Sequence, residues 1–215
     1  MILDFDYYIG DPCKRDLRAG AASVLESGGV LDVDTLSFQS DIPRAVIRHH
    51  YPDLDQLRAE VLEDFFFEYF PMVVTSTIER LDLSKHHISE IDLVTMFLDT
   101  LGRLVQDRPE LFRGDLFSKS SDPGKKKYSF FMKSLARFGD VLNEVIENGR
   151  GSGIFDDNIS IKKTREILHW LLIGSTLQSL FTASDSDPSY VFEQAKKQAC
   201  DLLCADRYDW RMMTD

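Results

Sequence analysis

The chain has 215 residues and a mass of 24.7 kDa, enough for one large domain or two small ones. Hydrophobic residues at 43% and charged residues at 28% sit near the averages of globular proteins, which excludes a disordered tail, a collagen-like chain and a membrane-embedded one. With 25 Lys plus Arg against 36 Asp plus Glu the net charge is -11, the wrong sign for coating nucleic acid, so any DNA contact must be local.

Helical spacing dominates, and β-branched alternation never persists for more than a few residues. Leu17, Ala21, Val24 and Leu25 form the stripe of a first helix, which Ser27-Gly28-Gly29 ends. A short second helix is expected to start with Asp34 as its N-cap. Pro43 suits the first turn of a third, carrying Ala45 to His50, and Tyr51-Pro52-Asp53 stops it. From Leu54 a long amphipathic helix runs through Leu57, Val61, Leu62, Phe65, Phe66 and Tyr69, with Pro71 expected to kink or end it.

Ser89 followed three residues on by Asp92 predicts a capped helix through Ile91, Val94, Leu98, Leu101 and Val105, closed by Asp107-Arg108-Pro109. Residues 118–127, SKSSDPGKKK, read as a loop. Helical spacing returns from Phe130 to Val145, and the glycines from Asn148 to Gly153 are expected to break it. Two strong helices follow, roughly Ile161 to Thr182 and Ser189 to Ala205, separated by a turn at 183–188. Their apolar residues, Leu168 to Phe181 above all, cover more than one face, more than a single subunit's core is expected to hide.

Three short helices followed by a long one is the layout of a helix-turn-helix unit joined to a helical body. The segment Ile42 to Leu57, IPRAVIRHHYPDLDQL, resembles without a gap the recognition helix and following corner of TetR-type transcriptional regulators, whose pattern reads approximately VSKGTLYRHFPSKEAL. Ile42, Arg44, Ile47, His50-Tyr51, Pro52 and Leu57 carry the match. Upstream, LRAGAASVLESGG resembles that family's first helix and Leu36-Ser37 its second. Downstream, the stretch GSGIFDD to QSLF, with Phe155 and Gly174, is similar to the start of its last two helices.

The resemblance implies an all-α homodimer, with a helix-turn-helix DNA-binding module at residues 1–55 and a helical effector-binding and dimerisation domain at 56–215. It implies a ligand-responsive regulator, in the repressor role, that reads double-stranded operator DNA through Pro43, Arg44, Val46, Arg48, His49 and His50. Arg44 and Arg48, four apart on one face, suit phosphate or guanine contact. Aromatic and thioether side chains, among them Phe66, Phe70, Met96, Phe97, Phe131 and Phe138, are candidates to surround an apolar or aromatic effector. Leu168, Leu172, Leu177, Phe192, Ala199 and Leu203 are the candidates for the dimer interface.

Some positions depart from the family pattern. The turn glycine is Asp41, the tyrosine facing DNA is Arg48, and the lysine after the corner is Leu54. Six bases and eleven acids among residues 1–60 leave -5. These departures favour a second reading, a TetR-like dimeric interaction or ligand-sensing protein with a degenerate DNA-binding module.

Catalysis finds no support in sequence, which carries no Gly-rich phosphate loop, HExxH or GxSxG, so no enzyme and no cofactor are expected. His49-His50 and His86-His87 lack a third neighbouring ligand, and no metal site is expected. Cys200 and Cys204 read as buried small hydrophobes, and with Cys13 they fit no disulfide framework. The start MILDFDYYIGD lacks the basic region of a secretory signal, and the apolar run at Trp170 to Ile173 falls far short of the roughly 20 residues that span a bilayer. The expected location is the cytoplasm, with no membrane partner.

Overall fold

The computed structural model describes residues 11–82, 88–117, 129–181 and 188–204. His86-His87, the loop at 118–127 and most of the turn at 183–188 lie outside them. Among the described residues the fold is all-α. No strand occurs in these described residues, and Phe155 with Cys204 makes an isolated antiparallel bridge. Two compact units divide the chain, one of Met1–Tyr69 with Arg108–Lys126, the other of Phe70–Asp107 with Lys127–Asp215.

In the first unit α1 spans Asp11–Glu26, α2 Val33–Ser40, α3 Arg44–His50 and α4 Leu54–Asp64. The end of α1 follows from Gly28, whose φ of 72° is left-handed. Gly28 N–H donates to the Leu25 carbonyl and Gly29 N–H to Val24, so two otherwise unpaired carbonyls are satisfied. The N-cap of α2 is Asp32 rather than the expected Asp34. Its carboxylate accepts from the amides of Asp34 at 2.9 Å and Thr35 at 2.7 Å, which starts the helix two residues earlier. Asp41 ends α2 at φ 55°, a left-handed conformation that Asp tolerates better than most side chains.

The long helix from Leu54 is not ended by Pro71. After α4 the chain widens into a π turn over Phe65–Tyr69, and α5, Phe70–Asp82, carries Pro71 in its first turn. The wider turn gives the proline ring room where an α-helical carbonyl four residues earlier would clash. Helix α7, Pro109–Phe117, was not expected from sequence. It begins on a proline, as helices favour, and sends Phe112 fully buried against Phe65 and Phe66, with ring centroids 5.8 and 5.2 Å away.

The second unit adds α6, Glu90–Asp107, α8, Phe130–Gly151, α9, Ile161–Phe181, and α10, Pro188–Leu203. The cap of α6 is reciprocal as expected. Ser89 N–H donates to Asp92 at 2.8 Å, and the Ser89 hydroxyl meets both the Asp92 carboxylate and its amide. Helix α8 runs through Asn148 and Gly149, and the break falls at Ser152-Gly153, where Gly153 has φ 75°. Gly149 is a contact, because a Cβ there would stand only 2.3 to 2.7 Å from ring carbons of Phe155. Phe155, fully buried, and the Asp156 amide, which donates to the Leu203 carbonyl at 2.9 Å, tie the loop after α8 to the end of α10.

Candidate nucleic-acid interface and apolar cavity

The turn between α2 and α3 is built by small, specific contacts. Ile42 is buried, the Ser37 hydroxyl donates to its carbonyl at 2.7 Å, and Ser40 donates back to Leu36. Gly20 lets α1 approach α2 closely, since a Cβ there would stand 3.1 Å from the Cβ of Ser40. Pro43 has no N–H to satisfy, and its carbonyl accepts from Val46 and Ile47 to open α3. Ile47 is fully buried and anchors α3 from inside.

The opposite side of α3 is exposed at Pro43, Arg44, Arg48 and His49, while Val46 and His50 are half-buried. Thus the six residues named from sequence occupy one short element, and four of them face solvent. The rings of His49 and His50 meet edge to face at 5.4 Å. Arg48 has no ion-pair partner among the described residues. Arg44 has one that sequence reasoning missed: its Nε lies 2.9 Å from a carboxylate oxygen of Asp34 on α2, both side chains being about two-thirds exposed (62% and 67%). The basic face of α3 is therefore half neutralised from within the module.

Behind α3, Tyr51 closes the corner. Its phenol is buried and donates to Glu60 at 2.8 Å. Burial first, and that hydrogen bond second, push the Tyr51 pKa up to about 12.

In the second unit the aromatic residues divide. Phe70, Phe97 and Phe138 pack edge to face, with centroids 5.1 to 6.1 Å apart. Phe97 and Phe138 also line a cavity of about 160 Å³, whose other walls are Val74 and Thr75 from α5, Leu93 and Val94 from α6, and Val141, Leu142 and Val145 from α8. Of the other candidates, Phe70 supports this wall without lining it, Met96 is half-buried, and Phe131 is fully buried. Phe66 belongs to the first unit's core, against Phe65 and Phe112. The aliphatic wall was not singled out in sequence because Val and Leu at helical spacing are indistinguishable from ordinary core.

A second cleft, of about 360 Å³, is lined by charged and polar groups of α6 and α10, including Asp99, Arg103 and Glu193. Lys196 already bridges its two carboxylates, at 2.8 Å from Asp99 and 2.6 Å from Glu193.

Leu168, Leu172, Phe192, Ala199 and Leu203 are buried in the subunit's own core, and Leu177 is half-buried. The expectation that the subunit leaves these side chains for a partner thus meets a physical obstacle: α6, α8, α9 and α10 already cover most of them. The apolar groups that remain outside on α9 are Ile167, Trp170 and Phe181, at 49%, 67% and 69% exposure, together with Tyr190 on α10. Ile167, Trp170, Gly174 and Phe181 share one face at spacings of three, four and seven, and a Cβ on Gly174 would meet nothing.

Cys200 is buried and Cys204 half-buried, and burial pushes their thiols up to about 12 and about 11, as inert packing groups. Among the described residues no cluster of three His, Cys, Asp or Glu is placed to hold a metal, and no helix is long and apolar enough to cross a membrane.

No protein-family model and no curated protein matches the chain. Solved structures do. One assigned to the TetR family of transcription regulators, from Shewanella sp. PV-4, is 12% identical with a TM-score of 0.57, over 89% of this chain and 98% of its own. A protein from Saccharomonospora viridis, assigned as a transcriptional regulator and in complex with choline, is 13% identical with a TM-score of 0.69, over 91% and 100%. The regulator FadR from Bacillus subtilis, in complex with stearoyl-CoA, is 10% identical with a TM-score of 0.64, over 86% and 97%. The chain therefore has the all-α fold of TetR-type regulators.

Proposed function

We propose that the protein is a ligand-responsive, DNA-binding transcriptional regulator of TetR type, acting as a homodimeric repressor in the cytoplasm and not as an enzyme. Residues 1–55 form the DNA-reading module, and 56–215 bind the effector and the second subunit. The observation that carries this reading is the turn Asp41-Ile42-Pro43, which is anchored by the buried Ile42 and holds α3 with Arg44, Arg48 and His49 outward on a fold of this type. Pro43, Val46 and His50 complete the contact with operator DNA. An apolar or aromatic effector enters the cavity beside Phe97 and Phe138 and shifts the population between states that fit successive major grooves and states that do not. The partner subunit covers the Ile167, Trp170 and Gly174 face of α9.

Titration of the protein with DNA from upstream of its own gene tests the reading. Saturable, salt-dependent binding that exceeds binding to scrambled DNA is the expected outcome. The Asp34 to Arg44 ion pair favours one competing reading, a TetR-like interaction protein with a degenerate module. Absence of specific binding in wild type and in Asp34→Asn alike would select it.

A further inference from the structure

The cavity of the second unit specifies more than an apolar occupant. Eight of its nine lining residues are Val, Leu or Phe, and the ninth, Thr75, supplies the one side-chain hydroxyl. No charged side chain lines it. A carboxylate, phosphate or ammonium held against the buried walls, away from the mouth, would lose its hydration without a counter-charge, a cost that an apolar wall cannot return. Its volume of about 160 Å³ sets the second limit. Apolar cavities of roughly 150 Å³ stay dry and take a benzene-sized molecule, whereas pockets for larger ligands run from about 300 Å³ upward. The Thr75 hydroxyl is the third element, because no hydrogen bond to it occurs among the described residues, although Ser76 and Thr77 beside it both donate to the Val73 carbonyl.

We infer that this cavity is a binding site for a neutral, single-ring-sized apolar molecule carrying one hydrogen-bonding group, a simple phenol being the type, with Thr75 as the group that distinguishes it from a plain hydrocarbon. The inference deepens the ligand-responsive reading and rests on it only for what binding does to DNA affinity, not for binding itself. Phe97 and Phe138 supply edge and face contacts to the ring, Val94 and Leu142 lie buried in the wall, and exposed Val141 and Thr75 mark where the cavity reaches the surface.

Calorimetric titration of the full-length protein with p-cresol, toluene, p-toluate and decanol tests it. The expected order is p-cresol first and toluene second. p-Toluate, which has the same ring with a charge added, should bind at least about tenfold more weakly than p-cresol. Thr75→Val, at an exposed position, should lower p-cresol affinity by about three- to tenfold and leave toluene unchanged. Val141→Phe, also exposed, should block p-cresol while leaving the circular dichroism spectrum and Tm as in wild type. Absence of saturable p-cresol binding, p-toluate or decanol binding as tightly as p-cresol, or p-cresol binding unaltered by Val141→Phe would each overturn the inference. If p-cresol binds as expected but leaves DNA affinity unchanged, the cavity assignment stands and the regulatory reading fails.

Discussion

Arg44 and Arg48 sit one helical turn apart, yet the structure makes them unequal. Arg44 has an intramolecular competitor in Asp34, whereas Arg48 projects without an ion-pair partner among the described residues. An exposed pair of this kind contributes at most about 1 kcal/mol to folding, so Asp34→Asn should shift stability by no more than that. It removes a negative charge from beside the phosphates and frees a guanidinium, and operator affinity should rise by about two- to tenfold. Arg48→Ala should weaken binding more than Arg44→Ala, and fluorescence anisotropy of the three variants checks the order. At the same scale Asp32 caps α2, and the Thr35 amide bond, before its other partners, holds its carboxyl below the usual 3.8. A lowered folded pKa means that the cap stabilises above the unfolded value and is lost as pH falls through the folded one. The amide resonances of Asp34 and Thr35 should therefore hold their positions where an ordinary aspartate already titrates and move only at lower pH. Tyr51 runs the other way. With its pKa raised from 10.0 to about 12, its contribution is intact below pH 10 and lost as pH rises through 12. Tyr51→Phe, which removes the donor to Glu60, should cost about 1 to 2 kcal/mol in denaturant titration.

At the scale of elements, one glycine sets the path of two helices. Gly149 sits in the last turn of α8 over the Phe155 ring, and Phe155 in turn pairs with Cys204 just beyond α10. Gly149→Ala inserts a methyl group into an occupied space and should destabilise by about 1 to 3 kcal/mol, while Gly151→Ala, whose added Cβ meets nothing, should be tolerated; thermal melts of the pair separate a packing cost from a helix-propensity effect. Composition alone reads both glycines as breakers, because sequence shows a residue's own conformational preference and not the neighbour that presses on it. The same limit explains the other departures. Pro71 signals a stop by its chemistry, but the chain passes it through a π turn over Phe65–Tyr69, which residue preference does not announce. α7 was missed because PELFRGDLF is too short to show periodicity. Elements whose signals are local and redundant were legible: the Gly28 end of α1, the Ser89 and Asp92 cap, and the apolar stripe of α6. The recognition helix was legible through resemblance, since its seven residues alone carry little pattern. The cavity was legible only in its aromatic half, Phe97 and Phe138, and the pairing of Asp34 with Arg44 required coordinates.

For the molecule as a whole, the exposed face of α9 and the charge balance set separate expectations. Ile167 and Trp170, two turns and one turn before the open Gly174 position, leave room for a second helix to approach, and an obligate pair built there should bury on the order of 2,000 Å² or more. Trp170→Glu changes an exposed residue, so it should leave the subunit folded while shifting sedimentation from dimer to monomer; a wild-type protein that sediments as a monomer at micromolar concentration removes the dimer proposal. Dimerisation then fixes how DNA binding responds to salt. Each phosphate neutralised by a basic side chain releases condensed counterions, and the slope of log K against log salt is about -0.9 per contact. The described surface of α3 offers Arg44 and Arg48, hence four guanidinium groups in a pair of modules, within a chain of net charge -11. The expected slope is about -4, shallow for a specific DNA-binding dimer, because the acidic surroundings leave few other cations to add to it. Anisotropy titrations between low and moderate salt measure this directly. A slope near -8 would mean that twice as many cationic groups reach the backbone as α3 provides, and would place much of the DNA contact outside that helix.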